Sequence, residues 1–226
     1  TLECNGADNQ AIADAWNQQN IDDLTVCPSD DCDVDATYSV TSDYDFGNLV
    51  STCGLAGTIT VTYTVSDDCG NSATVTITLT LEDTTPPDLS GCDITNQTVE
   101  CDGDNNETIA DQWNADNIAA LEACVTDSCD MDFSGQVTSD YSYSNIVTTC
   151  GLGGDITAIY TITDDCGNPS TITLILTIED TTPPDISNCR VTSPTLDCGS
   201  GAEATADAWH AANIAALQSC STDLCN

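Results

Sequence analysis

The side chains of this chain that could do chemistry are its 15 cysteines and 38 carboxylates, because it has one histidine, one basic residue (Arg190) and no lysine. Thiols in that number call for disulfides or for metal. Carboxylates call for a hard cation or for acid–base work. They are clustered: Glu82, Asp83 and Asp88 fall in EDTTPPD, and Asp67 and Asp68 in the preceding SDDCGNS. Asp164, Asp165, Glu179, Asp180 and Asp185 repeat that set further on. Calcium takes about six to eight oxygen ligands, and carboxylates gathered at a junction can supply several of them. These ten residues are therefore candidate calcium ligands. Asp31, Asp33 and Asp35 in DDCDVD, with Asp130 and Asp132 in DSCDMD, form a second candidate. Their alternation resembles the first half of an EF-hand loop, but the loop's glycine and closing glutamate are missing. The competing reading of both clusters is a solvated acidic face with no ion.

Paired carboxylates also serve glycosidases. Here the acids recur in turns, copy after copy, with no cationic or histidine partner. His210 stands where the other copies carry Asn17 and Asn114, which suits a surface helix position better than a catalytic one. No GxSxG, cysteine–histidine pair or phosphate loop is present. The expectation is a chain that is not an enzyme and that holds no cofactor apart from Ca2+.

The cysteines repeat. Cys4, Cys27, Cys32, Cys53, Cys69 and Cys92 recur 97 positions on as Cys101, Cys124, Cys129, Cys150, Cys166 and Cys189. Cys198, Cys220 and Cys225 begin a third copy, with one residue lost between the first two. One module, stapled the same way each time, is being reiterated. Zinc is the poorer explanation, since paired CxxC motifs are absent and histidine is nearly so. Disulfides imply an oxidising compartment outside the cytosol. The odd total, and ends that fall within modules, are expected of a window from a longer polypeptide. No signal peptide, membrane-spanning run or start methionine is visible in it.

A net charge of −37 excludes nucleic acid and anionic membrane as direct electrostatic partners. It also repels itself, so a folded array of such modules calls for counter-ions. A single basic residue leaves trypsin one site, which suits a life among extracellular proteases; adaptation to high salt explains the acidity equally well.

The elements that position these groups follow from periodicity. Ile109, Trp113, Ile118 and Leu121 suit one or two short helical turns, capped near Asp104 to Asn106 and Thr108. The same pattern stands at Ile12, Trp16, Ile21 and Leu24, and at Ala206, Trp209, Ile214 and Leu217. The tryptophans read as core anchors, with a carbohydrate-stacking platform as the alternative. Ile59, Val61, Tyr63 and Val65 alternate with threonines, as do Val75, Ile77, Leu79 and Leu81, which gives two half-buried strands. Gly70 and Asn71 between them form a hairpin turn. Ile156 to Ile162 and Ile172 to Ile178 repeat the pair. The double prolines of EDTTPP stop the strand and stiffen the joint between modules. The expected fold class is mainly β. It consists of tandem immunoglobulin-like β-sandwich modules, each with a short helical insertion and about three disulfides. The expected domains are 1–86 (a module without its first strand), 87–183 (a complete module) and 184–226 (the start of a third).

The order VECDG, a helix with tryptophan, CG before threonine-rich strands, then DDCGN and EDTTPP resembles a known family. It is similar to the four-cysteine HYR-like repeats of giant Bacteroidota cell-surface adhesins, along the whole chain. Cys101, Cys129, Cys150 and Cys166 fit that pattern, whereas Cys92 and Cys124 depart from it. A cross-link gained in one step needs both partners, so Cys92 and Cys124 are expected to pair with each other; the remaining connectivity stays open. The resemblance implies an extracellular, cell-surface stalk or filament. Its partners would be neighbouring modules or subunits, with surface glycans or other cells reached through parts outside this window, and with no nucleic acid and no membrane insertion. It also implies Asp-Thr-Thr O-glycosylation at Thr84 and Thr181. Asn96 and Asn106 head short matches to the N-glycosylation sequon. The alternatives are a homopolymeric filament subunit joined by strand donation and a carbohydrate-binding array of a secreted enzyme.

Overall fold

The computed structural model describes residues 1–26, 28–29 and 37–225. Cys27, Cys32 and the candidate ligands Asp31, Asp33 and Asp35 lie outside the described residues.

The first copy runs β1 (Leu2–Glu3), α1 (Asn9–Val26), β2 (Ser39–Ser42), β3 (Val50–Cys53), β4 (Ala56–Ser66) and β5 (Ser72–Glu82). β4 and β5 pair antiparallel without a break from Gly57↔Leu81 to Ser66↔Ser72. Their hairpin turns at Gly70, whose φ of +88° is open to glycine at no steric cost. Alternation then sorts the side chains. Ile59, Val61, Tyr63, Leu79 and Leu81 are buried on one face. On the other, Thr60 and Thr62 meet Thr78 and Thr76 hydroxyl to hydroxyl at 3.0 and 3.4 Å. β1 adds to β5 in parallel, and β2 and β3 both add to β4, giving five strands in all.

The helix covers the apolar face. Ala13 packs with Ile59, Val61, Tyr63, Leu79 and Leu81, and Ile12, Trp16, Ile21 and Leu24 line the edge of that cluster. Trp16 meets Tyr63 edge-on at 6.3 Å, an arrangement worth about 1 kcal/mol beyond the area buried. Tyr44 Oη donates to Asp14 at 2.6 Å and ties the helix to the loop after β2.

The second copy repeats the order with β6 (Gln97–Glu100), α2 (Asn106–Cys124), β7 (Val137–Ser139), β8 (Val147–Cys150), β9 (Gly153–Thr163) and β10 (Pro169–Glu179). Its sheet has the same topology, β6-β10-β9-β7 with β8 beside β9. Ile156, Ala158, Tyr160, Ile162, Leu174, Leu176 and Ile178 are buried, as their counterparts are. α3 (Ala202–Cys220) opens the third copy.

The chain is mainly β, as expected, but the helical insertion is 18 to 19 residues long, not one or two turns. Asn106 starts α2 near the expected cap, yet Asn106–Cys124 contains no glycine or proline to stop it. Its polar residues Asp111 and Asp116 simply face solvent.

Two compact units emerge, each discontinuous in sequence. The first comprises Thr1–Ile94, Asp116–Ser139 and Ile159–Ile172. The second comprises Thr95–Ala115, Asp140–Ala158 and Thr173–Asn226. Each therefore draws residues from more than one copy of the repeat.

Candidate functional site

The first unit holds a junction between copies. β1 lies parallel to the end of β5, so Cys4 leaves the sheet beside Glu82, to whose carbonyl it donates its amide at 2.6 Å. Cys53 ends β3, where the ladder with β4 is irregular. From the second copy come Cys129, in the loop after α2, and Cys166, in the hairpin turn between β9 and β10. The bonds are Cys4–Cys129 and Cys53–Cys166, spanning 125 and 113 residues of sequence. With Ala56 they form a small buried core of their own. In the second unit Cys101–Cys225 repeats the first of these bonds across 124 residues. Cys92–Cys124 and Cys189–Cys220 instead close short loops within a copy. The connectivity that the sequence leaves open is thus seen: among the described residues, three of the five disulfides join one copy to the next.

Backbone and side chains seal the same contact. Leu55 donates its amide to the Cys129 carbonyl at 2.8 Å. Asn9, 3 % exposed, donates from Nδ2 to Cys4 Sγ at 3.1 Å and to the Leu55 carbonyl at 3.0 Å, and accepts from the Asn5 amide. Asn106 does the same in the second unit with Cys101, Leu152 and Asp102. Gly6 and Gly103, both at positive φ, admit the other copy's backbone: a Cβ on Gly103 would lie 2.6 Å from the Leu224 carbonyl oxygen, and one on Gly6 would overlap that of Ser128. Cys150 and Cys198, the counterparts of Cys53 and of Cys4 and Cys101, are exposed thiols.

Of the candidate calcium ligands, the first unit brings two together. Asp83 and Asp164 are 8 % and 4 % exposed. Asn168 Nδ2 spans them, donating to the Asp83 carbonyl at 3.1 Å and to Asp164 Oδ2 at 2.8 Å. Asp127, which the sequence clusters omit, completes the group: a carboxylate oxygen each from Asp83 and Asp127 and the sulfur of Cys129 lie within 4.8 Å of one another. Burial, opposed only by a bond from the Thr85 amide, pushes the Asp83 carboxyl up, and the charges of Asp127, Asp164 and Glu3 add to the rise. The other candidates go elsewhere. Asp67 caps its own hairpin turn through Asn71, and Asp88 and Asp185 cap Ser90 and Ser187. Asp68, Glu82 and Glu179 are exposed. Asp165 accepts from Gln136, and its amide donates to Asp130, whose other oxygen takes the amide of Asp132. Asp180 and Asp185 line a cleft of about 360 Å³ with Asp223 in the second unit.

Next to the joint, the Glu3 carboxylate accepts from the Thr84 amide and hydroxyl and from the Thr85 hydroxyl, at 2.8 to 2.9 Å. Glu100 grips Thr181 and Thr182 likewise. Thr84 and Thr181, the expected glycosylation sites, are exposed, and a glycan on either oxygen would replace one of these donors.

No protein-family model and no curated protein sequence matches the chain. Similar solved structures include extracellular cadherin domains 3–6 of protocadherin gamma B2, at 11 % identity over 73 % of this chain and 55 % of that one, with a TM-score of 0.26. The EC3–6 cis-dimer structure of protocadherin gammaB7 follows, at 14 % identity over 72 % and 45 %, with a TM-score of 0.27. The chain thus spans about half the length of these structures. Likeness at this level identifies neither a family nor an activity.

The chemistry at the junction is cross-linking and charge. Its disulfides place this β protein outside the cytosol, in an extracellular or secreted setting. No described helix is long and apolar enough to cross a membrane.

The glutamate clamps make the joints acid-sensitive. Hydrogen bonds from Thr181, its side chain first and its amide next, hold Glu100 below its ordinary value of 4.5, and the Thr84 amide leads the same effect on Glu3. A lowered native value means that the contribution to stability is complete above the unfolded value and fades as pH falls through the native one. Thermal melts should therefore show the wild type losing its advantage over Glu100→Gln below about pH 4.5, the unfolded value. A constant difference between the two across the acid range would mean that the clamp does not act through the charged carboxylate.

Proposed function

We propose that the chain is a load-bearing repeat region of an extracellular surface stalk or filament, of the HYR-like adhesin kind that its motifs resemble. The observation that carries this reading is the pair Cys4–Cys129 and Cys53–Cys166, which bonds one copy covalently to the next. A binding domain needs a stable fold; it has no need for its repeats to be welded to each other. A thread under tension does, since an extensible repeat would yield before its tip could pull. On this reading Cys150 and Cys198 stand where Cys53 and Cys4 stand, and are the thiols that would bond a further repeat. Oxidation transfers two electrons per bridge to a disulfide-donating oxidoreductase, and both thiol protons are released. Two of the three tryptophans fit the same role, Trp113 at 5 % exposure and Trp16 packed against the core, whereas Trp209 in the third copy is 37 % exposed.

Electron microscopy of material sheared from the source cells tests the proposal. Threads decorated by an antibody to this region are the expected result. Compact, sugar-binding particles carrying the same epitope would overturn it in favour of a carbohydrate-binding array.

A further inference from the structure

Asp83 is the feature of the first unit that its own chain leaves unresolved. Its Oδ1 accepts one bond, from the Thr85 amide, at 3.2 Å. Its Oδ2 is buried without any hydrogen-bond partner. A buried acceptor left in that state costs about 1–3 kcal/mol, and more when charged. The residue is over nine-tenths buried, at 8 % exposure, and one of its carboxylate oxygens lies within 4.8 Å of one of Asp127. The charge of Asp164 also acts on Asp83, but the Asp164 carboxylate holds its own hairpin turn, Oδ1 accepting from the Cys166 and Asn168 amides and Oδ2 from Asn168 Nδ2. The chain has no lysine and a single arginine, Arg190, so side chains that could compensate this charge are scarce.

We propose that Asp83 and Asp127 bind a hard divalent cation at the junction between copies. The ligand atoms left open are oxygens. Cys129, although beside them, is in a disulfide and offers no thiolate, which disfavours zinc and other soft ions. Asp127 Oδ1 is held by the amides of Cys129 and Asp130, at 2.7 and 3.2 Å, so its carboxylate is oriented in advance. With two carboxylates, water must fill the remaining positions, as it does for magnesium and for weaker calcium sites. Asp83 comes from the end of the first copy and Asp127 from the loop after α2 of the second. The site therefore assembles only when the two copies dock, and the ion locks the contact that the disulfides hold. The second unit supplies the counterparts of both ligands, Asp180 and Asp223.

The test is a calcium titration of the oxidised chain in high monovalent salt, which suppresses diffuse attraction to the −37 charge. Calorimetry should detect one saturable site, and calcium should raise the melting temperature. Asp83→Asn, which removes the charge but keeps the shape, should abolish both effects. The exposed control Asp22→Asn should retain them. Equal calcium shifts in the two variants would overturn the proposal in favour of diffuse screening. Absence of any saturable binding by wild type, for calcium and for magnesium, would overturn it in favour of a protonated Asp83. Disulfide mapping is unaffected by either result, so failure here is distinguishable from failure of the load-bearing role.

Discussion

Stretched between its ends, the oxidised chain should extend to about 80 Å and the fully reduced chain to about 800 Å, at ~3.6 Å per residue. Force entering at Thr1 reaches Cys4 and crosses to Cys129. It then runs back to Cys124, crosses to Cys92, runs forward to Cys101 and crosses to Cys225. Only roughly 18 residues of backbone lie on that path, because the three bridges bypass every longer segment. All else is slack held in closed loops. Unfolding a domain cannot lengthen such a path, so its rigidity is covalent and does not depend on fold stability. Cys101→Ser removes one crossing and should lengthen the oxidised chain to about 250 Å, because the load must then travel from Cys129 to Cys189 along the backbone before crossing to Cys220. Single-molecule pulling with and without reductant reads all three lengths. An oxidised extension of several hundred ångströms in the wild type would mean that the bridges do not relay force between copies.

The second large effect is on stability. Replacing Cys4 and Cys53 by serine opens both inter-copy bridges of the first unit, each closing more than a hundred residues of sequence. Such a bridge contributes about 2–5 kcal/mol, and long loops gain more than short ones. The two are not independent, since either shortens the loop that the other closes, so the double variant should lose roughly 5 kcal/mol rather than the full sum. Replacing Cys92 and Cys124, whose loop spans 32 residues, should cost less, about 2–4 kcal/mol. Denaturant melts under oxidising conditions give the comparison. A smaller loss for Cys4→Ser with Cys53→Ser than for Cys92→Ser with Cys124→Ser would indicate that the copies are held together by something other than these bonds.

Much of this architecture is legible in the sequence because local rules and tertiary structure agree. The alternation of Ile59, Val61 and Tyr63 with threonines sets both strand and face, and Gly70 with Asn71 turns the hairpin where expected. Helix length is less legible: Asn106 marks a start, but an alanine-rich segment without a breaker has no local signal for its end. The cysteine partners are illegible for a different reason. In identical copies, a bond within a repeat and a bond to the next leave the same spacing, and only the docking of Cys4 beside Cys129 decides between them. The acid cluster escaped likewise. The candidate ligands group along the chain, whereas Asp83 and Asp127 come from two segments that meet only when two copies dock. The recurrence of Asn9 at Asn106, each beside a cysteine, was the one sequence signal of the buried hub.

The most direct measurement is disulfide mapping of the unreduced chain by mass spectrometry after pepsin digestion, since a single basic residue leaves trypsin little to cut. The residues around Cys4 and Cys101 differ, so the copies are distinguishable by mass. The expected species are a peptide of Cys4 linked to one of Cys129 and a peptide of Cys53 linked to one of Cys166. Cys4 found linked to Cys32 or Cys53, within its own copy, would contradict the inter-copy junction and with it the covalent relay of force.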